Sequence, residues 1–259
     1  MRRLGKLLLN ATALAALIYL GICALLFFQQ RQMIYYPDAT RVDAQATDYS
    51  LVRDGVTLRG WRLNPGKSRA LIYFGGNAER LETSREEFAR LFPDRTVYLL
   101  SYRGYGASEG TPDQTALFGD ALALYDQVRA QQPQAPIAII GRSLGSGVAS
   151  YVASRRPVER LALVTPFDSL AAVGQSHYPA FPVHWLMRDR YESTRYLPLY
   201  RGPLLVLRAG QDEVVPPANT DKLLAALENK PRVIDFPQAD HNNIAQDPRY
   251  AEALRDFLR

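Results

Sequence analysis

The chain has 259 residues, enough for one domain of ordinary size and an appendage. Its formal charge is +5, and Arg2, Arg3 and Lys6 supply three of those charges. The rest is near balance, without a basic stripe interleaved with aromatics, which excludes nucleic acid as a partner. A single cysteine, Cys23, excludes a disulfide framework, and the sequence holds no repeat, low-complexity tract or phosphate loop.

The appendage comes first. Leu7 to Phe28 is apolar apart from Asn10 and Thr12. At ~1.5 Å per residue the run spans about 33 Å, enough for a hydrocarbon core of ~30 Å. A cleavable signal peptide has a shorter apolar region, with its small-residue site beyond it. Here the small residues Thr12 to Ala16 lie inside the run, so an uncleaved transmembrane anchor is expected. Leu20-Gly-Ile-Cys23 is a poor lipidation site, and Cys23 reads as a small apolar residue in lipid. Arg2, Arg3 and Lys6 outweigh Arg31 and Arg41, favouring a single pass with a cytoplasmic N-terminus and an extracytoplasmic domain. The reading is an anchor over 1–30, a juxtamembrane linker over 31–47 and a domain over 48–259. Within the linker, Tyr35 and Tyr36 are expected at the lipid interface or capping the domain.

Asp54-Gly55 between Tyr49–Arg53 and Val56–Leu63 predicts a β-hairpin. From Ala70 onward, strands alternate with helices. Strands are predicted over 70–74, 96–100, 136–140, 161–164, 203–207 and 232–236. Helices are predicted over 79–92, 113–131, 146–153 and 219–228, with a last one from Pro248. Such alternation implies an α/β fold: a mostly parallel sheet with helices on both faces. The alternation lapses over about 166–200, which carries Tyr178, Phe181, Pro182, Trp185 and Tyr191. That stretch is expected to be a small helical insertion before the penultimate strand, over the carboxyl edge of the sheet.

Gly141-Arg142-Ser143-Leu144-Gly145 lies between an apolar strand and a helix of small residues. A G-x-S-x-G match in that setting predicts a nucleophile elbow. Gly106-Ala107-Ser108-Glu109-Gly110 fits the same pattern but follows a glycine-rich loop and precedes an ordinary helix start. There Thr111 is the expected N-cap, with Pro112 first in the helix and Gln114 closing a capping box. Ser143 is therefore the candidate nucleophile.

A serine hydroxyl needs a base and a group that orients it. His177 and His184 fall in the irregular insertion, whereas His241 follows the strand ending at Phe236. Asp212, just after the strand over 203–207, is preferred to its neighbour Glu213, and Asp240 is read as an exposed residue too close to His241 to reach it. The order Ser…Asp…His matches the arrangement expected on such a sheet. A tetrahedral oxyanion needs backbone donors. Leu144 supplies one, and Asn77 in Gly75-Gly-Asn-Ala78 is preferred over Gly76 for the other.

Five blocks together resemble the α/β-hydrolase superfamily: Gly75-Gly-Asn-Ala78, Tyr102-Arg-Gly-Tyr-Gly-x-Ser-x-Gly110, Gly141–Gly145, Gly210-x-Asp-x-Val-Val-Pro216 and His241-Asn-Asn243. The branch they are most similar to is that of membrane-anchored abhydrolase-domain proteins, some of which remove palmitoyl groups from proteins. The resemblance implies an α/β-hydrolase fold, a triad of Ser143, Asp212 and His241, and no metal or organic cofactor. Relatives often carry His-Gly where this chain has Gly75-Gly76, and Asp-Tyr-Arg where it has Ser101-Tyr-Arg103, departures expected to alter the bracing of the oxyanion loop. The expected activity is hydrolysis of esters or thioesters, on a small-molecule or acylated substrate near a membrane. Two alternatives remain open. One is an aminopeptidase binding an amine through Asp168, Asp189 or Glu192, and the other is a non-catalytic binding protein on the same scaffold.

Overall fold

Side chains of the central strands divide by parity between two cores, which is why each strand reads as an unbroken apolar run. On the strand Arg69–Phe74, Ala70, Ile72 and Phe74 enter one core while Leu71 and Tyr73 enter the other. The computed structural model describes residues 2–259; Met1 lies outside them. A long helix, α1 (Arg2–Ile34), precedes the sheet. The chain continues through β1 (Tyr49–Arg53), β2 (Val56–Leu63), β3 (Arg69–Phe74), α2 (Arg85–Leu91), β4 (Arg95–Leu100) and α3 (Gln114–Gln131). Then come β5 (Ile137–Arg142), α4 (Leu144–Ala153) and β6 (Leu161–Val164). The insertion holds α5 (Leu170–His177), α6 (Val183–Leu186) and α7 (Ser193–Tyr196). The fold closes with β7 (Leu204–Ala209), α8 (Pro217–Ala225), β8 (Arg232–Phe236) and α9 (Pro248–Leu258).

The eight strands form one sheet in the order β1-β2-β4-β3-β5-β6-β7-β8. Only β2 runs against its neighbours; β4 through β8 pair in parallel. Leu117, Leu124 and Val148 of α3 and α4 cover one face, while Phe88 of α2 and Leu254 and Phe257 of α9 cover the other. The β1–β2 turn places Asp54 at φ 52° and Gly55 at φ 72°, the left-handed pair that a two-residue hairpin with native twist requires.

Three local expectations differ from the structure. Helix α3 begins at Gln114, capped by the Asp113 carboxylate accepting from the Ala116 N–H, so Thr111 and Pro112 lie outside it. The helix expected from Glu79 begins as a 3-10 turn over Leu81–Ser84 and becomes α-helical only at Arg85. The segment read as a linker begins as helix: α1 continues through Ile34, and the Tyr35 ring beyond it is buried in the core while Tyr36 is half-exposed. Tyr35 donates to Asp189 at 3.1 Å and shares a hydrogen bond with Tyr191, and Arg31 is paired with Asp189 at 3.0 Å.

Candidate active site

The turn between β5 and α4 holds Ser143 at φ 51° and ψ −118°, a conformation that is costly for any side chain and persists only where the surroundings impose it. They do so here. The Ser143 N–H donates to the Val164 carbonyl at 2.9 Å, and its own carbonyl accepts from the Ser146 N–H at 2.8 Å. A Cβ at Gly145 would stand 2.0 Å from the Phe74 carbonyl oxygen, and one at Gly141 would stand 2.4 Å from that of Gly145. The glycines two residues either side of the serine thus allow β5, the start of α4 and the end of β3 to meet.

The structure brings Ser143, His241 and Asp212 together at the carboxyl edge of the sheet. His241 Nε2 lies 2.9 Å from Ser143 Oγ, and Nδ1 lies 2.8 Å from Asp212 Oδ2. Asp212 accepts on both oxygens, because Oδ1 takes the N–H groups of Val214 and Val215 at 2.9 and 2.7 Å. Nδ1 is therefore the protonated ring nitrogen, and Nε2 is left to accept from the serine. Glu213 is exposed. Asp240 is half-buried rather than exposed: its carboxylate takes the N–H groups of Asn242 and Asn243, and so shapes the turn that carries His241. His177 and His184 are exposed, the former bonded to the Val214 carbonyl. Ser108 is buried and fully engaged, accepting from the Arg59 N–H and donating to the Ser101 carbonyl.

The loop after β3 faces this serine. A Cβ at Gly76 would stand 3.6 Å from that of Ser143. The Gly76 N–H donates to Glu79 at 2.6 Å, so it is turned away from the serine, whereas the backbone N–H groups of Asn77 and Leu144 have no such carboxylate partner among the described residues. Several side chains that sequence reasoning overlooked hold this loop. Glu79 also accepts from the Tyr73 hydroxyl at 2.6 Å and pairs with Arg142 at 3.1 Å, and Arg142 donates onward to the His241 carbonyl. Burial works against the Arg142 charge, but Glu79, joined by Tyr73 and Tyr250, more than offsets it and raises the guanidinium pKa. Burial, reinforced by Glu79, also keeps the Tyr73 hydroxyl protonated, its pKa well above the usual phenol range. The Tyr102 hydroxyl donates to the Gly75 carbonyl at 2.8 Å and that of Tyr105 to the Asn77 side chain at 2.6 Å. Bracing thus comes from Glu79, Tyr102 and Tyr105, while Ser101 accepts from the Ser108 hydroxyl through its carbonyl. The one sequence signal for these roles was the Tyr-Arg-Gly-Tyr block itself.

Ser143 opens on a cavity of about 290 Å³. Leu26, Gln30, Met33 and Ile34 of α1 form one wall, and Val173, Phe181, Leu186 and Met187 of the insertion form another. No charged side chain lines it among the described residues. The three carboxylates weighed for binding an amine are engaged elsewhere. Asp168 accepts from Asn219 and the Ser169 N–H, Asp189 from Arg31 and Tyr35, and Glu192 pairs with Arg190 and Arg195. The arrangement combines a serine poised on an imidazole with an apolar chamber.

Comparison with known proteins agrees with this fold. The profile of a family described as alpha/beta hydrolase fold matches residues 69–191. An uncharacterized protein of Mycobacterium tuberculosis is 33% identical over 265 residues, covering 96% of this chain and 94% of the relative. The alpha/beta hydrolase domain-containing protein WAV2 of Arabidopsis thaliana is 29% identical over 214 residues, covering 73% of this chain and 69% of the relative. Among solved structures, a Pyrococcus furiosus esterase superposes with a TM-score of 0.65 at 17% identity, covering 87% of this chain and 97% of its own.

Proposed function

The chain belongs to the α/β-hydrolase superfamily, in its abhydrolase-domain branch, and from that premise we propose that it is a membrane-anchored serine hydrolase acting on acyl esters or thioesters. The observation that carries this reading is the hydrogen-bonded series Ser143–His241–Asp212 at the mouth of an apolar chamber. The esterase and lactonase activities named for structures of similar fold support the same reaction class.

In the proposed cycle, Ser143 Oγ attacks the acyl carbon while His241 Nε2 takes its proton. Asp212 holds the ring by its Nδ1–H and stabilises the imidazolium. The tetrahedral oxyanion accepts from the N–H groups of Leu144 and Asn77, each donor contributing roughly 2.7–4 kcal/mol. Collapse breaks the ester or thioester bond, and His241 returns the proton to the departing alcohol or thiol. Water then repeats the sequence on the acyl-enzyme and releases the carboxylic acid, restoring Ser143. The apolar lining supports an acyl chain as the group held, and it disfavours the aminopeptidase reading, since a free ammonium finds no carboxylate there.

Helix α1 is long and apolar enough to cross a membrane, which supports the anchor. The basic residues Arg3 and Lys6 support a cytoplasmic N-terminus with the hydrolase domain on the other side. A chain-length series of esters and thioesters, run beside aminoacyl amides, tests the activity. The expected result is turnover that rises with acyl length and no amide cleavage. Hydrolysis confined to short soluble esters, or cleavage of the amides, contradicts it.

A further inference from the structure

The insertion touches α1 well inside the apolar run. The Phe181 ring stacks on Tyr19 with centroids 5.7 Å apart and planes 4° from parallel, and the Tyr19 hydroxyl donates to the Ala180 carbonyl at 2.9 Å. Farther along the helix, Gln30 donates to the Leu186 carbonyl at 3.1 Å and accepts from the Arg188 N–H at 2.7 Å. The Arg188 guanidinium lies 5.9 Å from the Phe27 ring centre, and Arg31 binds Asp189 through two nitrogens. The insertion is thus held against one side of α1 from Tyr19 to Arg31.

This contact has a geometric consequence in a membrane. Tyr19 precedes Phe28, the end of the apolar run, by about 13 Å of helix at ~1.5 Å per residue. A straight helix that places residues 7–28 in hydrocarbon carries whatever is stacked on Tyr19 below the bilayer surface. The composition of residues 178–186 suits that position. The segment holds Tyr178, Phe181, Pro182, Trp185 and Leu186 and no carboxylate. Trp185 is 89% exposed and Tyr178 is 51% exposed, so the protein leaves the first ring nearly bare and the second half-covered. Aromatics of this kind settle at the boundary between headgroups and acyl chains. Arg188, exposed at the domain-side end of the segment, sits where a cation meets lipid phosphates.

We propose that residues 178–186 are a second membrane contact, inserted into the same leaflet as the C-terminal half of α1, and that the chamber receives acyl chains from that leaflet. The proposal rests on the anchored-hydrolase reading and deepens it, naming bilayer-embedded acyl esters as the substrate class. Tyr178 and Phe181 belong both to this segment and to the chamber lining, as Leu26 belongs both to the apolar run and to that lining. The wall of the site and the surface that meets lipid therefore share side chains.

Trp185 supplies the probe. The only other tryptophan, Trp61, is 1% exposed, so the emission lost in Trp185→Phe isolates the exposed ring. The full chain is reconstituted in phosphatidylcholine vesicles with and without acyl-brominated lipid. The expected result is quenching of Trp185 by the brominated lipid and protection from aqueous iodide. Trp185→Asp is expected to lose roughly tenfold in hydrolysis of a long-chain ester dissolved in the vesicles. The same variant should match the wild type on a water-soluble short-chain ester and in reaction with a fluorophosphonate. Trp185 emission quenched by iodide and untouched by brominated lipid overturns the proposal, and so does an equal loss on both substrates. Failure of the wild type to react with fluorophosphonate sinks the serine-hydrolase reading instead, while the quenching result still decides the membrane contact.

Discussion

The side-chain amide of Asn77 donates to the carbonyl of Ile34 at 2.5 Å, which joins the last turn of α1 to the loop facing Ser143. The oxygen of the same side chain accepts from the Tyr105 hydroxyl at 2.6 Å and from the Tyr36 N–H at 3.4 Å. The end of the proposed anchor and the proposed oxyanion loop are thus parts of one hydrogen-bonded unit.

Asn77→Ala keeps the backbone N–H but removes all three of these bonds. With a soluble ester, kcat is expected to fall about tenfold with KM within about twofold, because the donor is displaced while the apolar side chains of the chamber walls are kept. Tyr105→Phe, which removes one of the three together with the bond that the Tyr105 hydroxyl accepts from the Tyr36 N–H at 3.1 Å, leaves the Asn77–Ile34 bond in place and should fall less. Steady-state kinetics of the two variants check this, and an unchanged kcat in Asn77→Ala would show that the side chain does not position the loop.

Glu79 and Arg142 form a largely enclosed pair, so removing one charge leaves the other uncompensated. Glu79→Gln is expected to lower unfolding free energy by about 3 kcal/mol. The double variant Glu79→Gln/Arg142→Met should lose less, since no unpaired cation is left behind. Urea denaturation of the wild type, Glu79→Gln, Arg142→Met and the double variant measures both. Additive losses would mean that the two groups act independently.

Gly145→Ala places a methyl group 2.0 Å from the Phe74 carbonyl oxygen and 2.6 Å from that of Gly75. Backbone must shift, at a cost of about 3 kcal/mol, and the oxyanion loop shifts with it. Gly147→Ala, two residues on, meets nothing nearer than Tyr191 Cβ at 3.1 Å, so crowding and helix propensity nearly cancel. Thermal melts should separate the pair by several degrees, with activity lost only in the first.

Met33 lines the chamber from α1. Met33→Trp is expected to shorten the preferred acyl chain, leaving the rate on an acetyl ester within about twofold of the wild type while long-chain turnover falls about tenfold. A chain-length profile checks it. A profile that only scales down would place the acyl chain elsewhere.

The strands and the elbow were legible because their signals are local. Apolar runs, the Asp54-Gly55 turn and the glycines flanking Ser143 each specify conformation within a few residues. Asp212 and His241 were legible as loop residues at strand ends, although their contact with Ser143 is a property of the folded sheet. Glu79 was not legible, since it looked like the first residue of a helix and meets Arg142 only across 63 positions. The packing of 31–36 was hidden for the same reason. Arg31 and Tyr35 both meet Asp189, 158 and 154 residues away, and nothing near them in the sequence announces it. The displaced helix start at Asp113 shows two capping residues in competition. Thr111 fits the pattern, but Asp113 has the carboxylate that the Ala116 N–H takes.

An activated Ser143 reacts covalently with a fluorophosphonate, so active-site labelling reports its reactivity. Membranes containing the wild type, Ser143→Ala, Asp212→Asn and Ser108→Ala are treated side by side. Labelling should be lost in Ser143→Ala, slowed by about 10⁴-fold in Asp212→Asn and retained in Ser108→Ala. A folded wild type that takes no label, or label that persists in Ser143→Ala, would rule out Ser143 as the activated nucleophile.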